Sequence, residues 1–153
     1  CDTNGGTLPA EVGRITAEVI AAGIPGDRLG IHCHDDTGNA VANTLAAVDA
    51  GARQIQGTLN GLGERCGNTN AYEVAVALFN SGVPVALHLD RIYETALLVS
   101  QWSNVNIYSR APLIGAEAIV HRSGIHQDGA SKTKNMKKKI KKAPTDIVNY
   151  RFL

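Results

Sequence analysis

The chain has 153 residues, 44% hydrophobic and 19% charged, a balance that fills the core of one ordinary domain and excludes a disordered or fibrous chain. Its formal net charge is +1, no apolar run approaches the roughly 20 residues of a membrane span, and no secretory signal opens it, so a cytoplasmic location is expected by default. Cys1, Cys33 and Cys66 contain no CxxC pair and read as reduced thiols, not as a disulfide framework or a zinc knuckle.

Cys1 leads straight into a turn-rich segment, Asp2 to Gly6, and reads as the last turn of a strand. From Pro9 the apolar residues Val12, Ile15, Val19 and Ile20 recur on one helical face, with proline suited to the first turn and Gly23 to the stop. Arg28 to His34 (RLGIHCH) predicts a short strand, followed by DDTGN and a helix from about Ala40 to Ala50 that stops at Gly51. Gln54 to Leu59 predicts a second strand, and the glycine-rich NGLGERCGN leads from it into a helix around Tyr72 to Phe79. Beyond Gly82 the texture changes. Leu89 to Trp102 predicts a helix with Ile92, Ala96, Val99 and Ser100 on one face, Ala111-Pro112 breaks the chain, and HRSGIHQDG opens an irregular region. The run Lys132, Lys134, Lys137, Lys138, Lys139, Lys141 and Lys142 has no arginine or aromatic partners among it and reads as a solvated tail, not a nucleic-acid surface. APTDIVNYRFL fits no regular element.

Strand and helix alternate, which implies a parallel sheet, closed as a (βα)8 barrel or open and doubly wound. About three units are visible, fewer than a full barrel of roughly 250 residues holds. The expected fold is α/β, a partial barrel made of its last three βα units, followed by a small, mainly helical subdomain. The expected divisions are 1–84 for the barrel part, 85–110 for a helical connection and 111–153 for the start of the subdomain.

His32 and His34 lie two apart on a predicted strand, so both imidazoles face one side and can share one ion. They stand at the strand's C-terminal end, where barrel active sites gather, with two acids and a glycine following. That context favours metal ligands over packed core histidines. The loop after the second strand lies on the same rim, and its glycines permit close backbone approach while Glu64, Arg65 and Asn68 offer a carboxylate, a guanidinium and an amide. The loop is neither a dinucleotide fingerprint nor a phosphate loop, since it does not open the helix after a first strand and no GK[ST] ends it. By itself it also fits a tight βα turn. His121, His126 and Asp128 share a polar stretch in which the residues alone favour a surface or capping role for His126.

DTNGGTLP, GIHCHDDTGNAVANTLAAVDAGARQIQGTLNGLGERCGN and GIHQDGASK together resemble the 2-isopropylmalate synthase and citramalate synthase family, with homocitrate synthase as a close relative. The resemblance runs from Cys1 to about Lys138 in the same order and spacing. It implies an acyltransferase that condenses acetyl-CoA with a 2-keto acid, 2-ketoisovalerate or pyruvate, in leucine or isoleucine biosynthesis. It assigns His32, His34 and Asn68 to a divalent metal (Zn, Mn or Mg) and Thr3 to the substrate carboxylate. Asn60, Gly61, Gly63, Glu64 and Arg65 fall on the rim that receives acetyl-CoA. It also gives His126 an acid-base role reached across a homodimer. The family's opening metal motif and its glutamate base have no counterpart here, and KIKKAPTDIVNYRFL resembles nothing in it. The isolated chain is therefore expected to be inactive. A metal-dependent lyase of the hydroxymethylglutaryl-CoA type and a non-catalytic half-barrel binding module are the alternatives.

Overall fold

The computed structural model describes residues 1–118 and the short strand Arg151–Phe152. In chain order the elements are α1 (Pro9–Ala21), β1 (Gly30–His32), α2 (Ala40–Asp49), β2 (Gln54–Gln56), α3 (Ala71–Asn80), α4 (Ile92–Ser103) and β3 (Arg151–Phe152). The sheet runs β1-β2-β3 and is parallel throughout, with Ile31 opposite Ile55 and Ile55 opposite Phe152. A parallel bridge from Asp2 to Cys33 extends it on the other side of β1, in keeping with the reading of Cys1-Asp2 as the end of a strand. α1 packs on α2, and both helices stand on one side of β1 and β2. The result is an arc of a βα barrel.

Both strands are shorter than the expected Arg28–His34 and Gln54–Leu59. Arg28 is taken up by a 3-10 turn at Gly26–Arg28, where its amide donates to the carbonyl of Pro25 at 2.9 Å. The second strand stops before Gly57 because a Cβ there would stand 2.8 Å from the carbonyl oxygen of Thr69. From that point the ladder is handed to the returning rim loop, with Thr58 bonding Thr69 and Ala71. Leu59 begins another 3-10 turn.

The core follows the expected periodicities. Ile31 and Cys33 are buried while His32 and His34, on the opposite face of the same strand end, are half-buried. Ile55 is fully buried against Val48, Val74 and Leu78, which joins β2 to α2 and α3. Ile15 departs from the expected face of α1 and is 43% exposed. Its place is taken by Thr16, buried with its hydroxyl donating to the Val12 carbonyl at 2.8 Å. α4 buries Ala96 fully and half-buries Ile92, Val99 and Ser100, the expected face. Its outer face leaves Trp102 81% exposed.

The expected helical subdomain lies mostly outside the described residues, as do the lysine run, His121, His126 and Asp128. Residues 111–118 form turns without a helix. The chain's end, read as irregular, contributes β3 on the far edge of β2. Among the described residues no helix is long and apolar enough to cross a membrane.

Candidate metal centre

Parallel pairing puts the carboxyl ends of all strands at one rim, and the histidine pair stands there. The His32 and His34 ring centres are 5.0 Å apart with the planes at 82°. Metal–nitrogen bonds of about 2.1 Å set ring centres about 3.2 Å from an ion, hence about 5 Å from each other when both imidazoles share it. The spacing suits a shared ion. Burial first, and then the neighbouring His34, hold the His32 pKa below its ordinary value. The neutral imidazole, which is the ligating form, is favoured.

His34 is held from behind. Its amide donates to the carbonyl oxygen of Asp2 at 3.3 Å, and its Nδ1 lies at 3.3 Å from the same oxygen. A proton on Nδ1 satisfies that contact and leaves the Nε2 lone pair facing outward. Asp2 is itself buried. Thr7 Oγ1 donates to Asp2 Oδ1 at 2.9 Å and Asn43 Nδ2 to Oδ2 at 3.0 Å. Neither Asp2 nor Asn43 stood out in the sequence, although a polar Asn43 beside core-facing Ala40 and Ala47 was the available signal.

Asn68 sits opposite His34 in an antiparallel bridge, an arrangement that sends both side chains to the same face. Its Nδ2 donates to the Leu62 carbonyl at 3.1 Å, while its Oδ1 is buried and accepts no hydrogen bond. A buried oxygen without a donor is costly unless something electropositive faces it. Imidazole nitrogens and an amide oxygen are donors whose chemistry fits a divalent ion of the Zn, Mn or Mg kind. Among the described residues no group of three His, Cys, Asp or Glu converges on such a point.

The rim loop encloses these donors. Gly63 lies so close to the Asn68 amide that a Cβ would stand 2.5 Å from Nδ2. Glu64 Oε1 is 3.6 Å from His34 Nε2, and Arg65 Nη1 is 3.0 Å from that same oxygen. Arg65 also makes a two-point bond to Asp36, at 2.7 and 2.9 Å, and donates to the Thr3 carbonyl at 2.9 Å. The guanidinium keeps the Asp36 carboxyl below its ordinary range. Asn60 donates from Nδ2 to the Ala96 carbonyl at 2.9 Å, which ties the loop to α4. Asn60 and Gly61 both take the left-handed backbone, at φ 57 and φ 67. Thr3 is exposed in the turn after the Asp2 bridge. Thus Thr3, His32, His34, Glu64, Arg65 and Asn68 come together, Asn60 serves the α4 contact, and His126 lies outside the described residues.

An arc of parallel βα units with a histidine pair and a glycine-rich loop on its carboxyl rim fits the class of α/β-barrel domains. Residues 1–99 match the HMGL-like family, and the chain belongs to that family. It is 54% identical over 122 residues to 2-isopropylmalate synthase 2 of Leptospira interrogans, covering 79% of this chain and 28% of that protein. It is 46% identical over 140 residues to the 2-isopropylmalate synthase of Aliivibrio salmonicida, covering 88% of this chain and 27% of that protein. The chain thus spans little more than a quarter of the length of these relatives. Among solved structures, an HMG-CoA lyase from Acinetobacter baumannii in complex with coenzyme A and 3-methylmalate is similar with a TM-score of 0.65 at 25% identity, over 80% of this chain and 42% of that one. The HMG-CoA lyase from Brucella melitensis is similar with a TM-score of 0.60 at 27% identity, over 67% of this chain and 38% of that one. The arc is part of a (βα)8, or TIM, barrel.

Proposed function

We propose that this chain supplies part of the catalytic barrel of an acyltransferase that condenses acetyl-CoA with 2-ketoisovalerate or pyruvate to a 2-alkylmalate, in leucine or isoleucine biosynthesis. The observation that carries this reading is the rim where His32, His34 and the unpartnered Asn68 Oδ1 face one side. The 54% identity to a 2-isopropylmalate synthase supports the choice of reaction.

In this reading His32, His34 and Asn68 hold the divalent metal, with the Asp2 carbonyl fixing the His34 tautomer. The ion supplies Lewis acidity toward a keto oxygen. Thr3, on the exposed turn that Arg65 joins to the rim, binds the keto-acid carboxylate. Asn60, Gly61, Gly63, Glu64 and Arg65 shape the rim that receives acetyl-CoA, Asn60 through its left-handed backbone and its tie to α4. His126 takes the acid-base role from a partner subunit of a homodimer. The protein acts in the cytoplasm, with the chain divided at 84 and 110 into barrel, connection and small subdomain.

Calorimetric titration of Mn2+ into the chain tests this. A weak site is expected that disappears in His32→Ala and His34→Ala and tightens when 2-ketoisovalerate or pyruvate is present. Uptake unchanged in both variants overturns the reading. The similarity to HMG-CoA lyases favours a second one, a carbon-carbon lyase, and tightening by hydroxymethylglutaryl-CoA but by neither keto acid would select it. No metal uptake at all would point to a non-catalytic half-barrel module.

A further inference from the structure

We propose that Arg65 is a positioning residue for the histidine pair, a latch that holds three separate loops in the one arrangement that turns His34 and Asn68 toward a common point. The inference rests on the reading of His32, His34 and Asn68 as metal donors. Its ground is where the guanidinium goes. Arg65 grips Asp36, two residues past His34, through Nε at 2.7 Å and Nη2 at 2.9 Å. The same Nη2 donates to the carbonyl of Thr3, 62 positions away in sequence, at 2.9 Å. Nη1 holds Glu64 at 3.0 Å, within its own loop. One planar group therefore joins the turn after the Asp2 bridge, the loop after β1 and the loop after β2.

Two further observations show that the joint is built, not incidental. Arg65 takes φ 55, a left-handed conformation that costs a residue with a side chain and is kept where the surroundings demand it. Across the joint, Gly5 is packed so closely on Asp36 that a Cβ would stand 2.8 Å from the Asp36 amide nitrogen and 2.9 Å from the His34 carbonyl oxygen. The Asp36 carboxylate is thus fixed from one side by Gly5 and from the other by Arg65. Isolated surface ion pairs contribute little, but a two-point guanidinium-carboxylate pair within a network is the exception. Backbone bonds hold the base of the loops, Asp35 amide to Gly67 carbonyl at 2.9 Å. Only Arg65 among the rim-loop side chains reaches across their tips to both Asp36 and Thr3. The guanidinium's bonding is taken up by these partners, so its contribution to the rim is to set shape.

The test compares the unaltered chain with Arg65→Gln, Arg65→Lys and Asp36→Asn, using Co2+ absorption as the probe of the histidine site and amide hydrogen exchange as the probe of the loops. Arg65→Gln should speed exchange in residues 3–5, 35–37 and 63–68 together and weaken Co2+ binding about tenfold, the lower end of what supporting residues around a metal contribute. Asp36→Asn should do the same. Lysine at 65 keeps the charge but not the planar two-point grip, and should fail to restore the affinity. Faster exchange with unchanged Co2+ affinity, or full recovery with lysine, overturns the positioning role. Failure of the unaltered chain to bind Co2+ through His32 and His34 overturns the metal reading itself, and the latch's role toward that metal with it.

Discussion

Cys33 and its two histidine neighbours share a few ångströms of backbone yet meet opposite surroundings, because side chains alternate along a strand. Cys33 is fully buried, and burial pushes its thiol pKa up, whereas Cys1 and Cys66 are exposed. A thiol that is both covered and protonated is a poor nucleophile. Titration with a disulfide reagent should therefore modify two thiols quickly under native conditions and the third only after denaturation. Three fast thiols would contradict the placement of Cys33. The same period of two made the histidine pair legible from sequence, since it needs only local geometry. Asp2 and the Arg65 grip were not legible, because their partners lie 41 and 62 positions away (Asn43 and Thr3), and no local pattern encodes such a distance.

Element starts were legible where a local rule fixes them, and strand ends were not, because a neighbouring loop sets them. α3 illustrates the first case. Asn70 caps the helix N-terminus by accepting from the Tyr72 amide at 3.1 Å, and its Nδ2 donates to Glu73 Oε1 at 3.0 Å. The second case is β2, whose ladder the rim loop takes over. The cap also has a pH dependence. Burial first, with Asp35 adding and the Asn70 bond opposing, raises the Glu73 pKa above its ordinary 4.5. Since the folded state then holds the proton more tightly than the unfolded state, the contribution is full below 4.5 and is lost as pH rises through the folded value. Relative to Glu73→Gln, the urea midpoint of the unaltered chain should fall as pH rises across that range. A difference between the two chains that does not change with pH would deny Glu73 this contribution.

At the scale of the whole chain, stability concentrates where β2 meets α2 and α3. Ile55 is fully buried and packs on Val48, Val74 and Leu78, with Val41, Leu45, Val83 and Val85 around them. Ile55→Ala removes three carbons from a site that cannot collapse and should cost about 3 kcal/mol, with Ile55→Val costing about 1 kcal/mol. Urea unfolding checks both, and equal midpoints for alanine and the unaltered chain would deny Ile55 its central place. Parallel order and layer arrangement were legible from the strand-helix alternation. The pairing of Arg151–Phe152 with β2 was not, since APTDIVNYRFL carries no clear period. The exposed outer face of α4 has an optical consequence. Trp102 is the chain's sole tryptophan and is 81% exposed on that face, so its fluorescence should have the red-shifted colour of indole in water. A partner that settles over this face of α4 should turn that colour blue, so the protein carries a built-in dye for one of its surfaces.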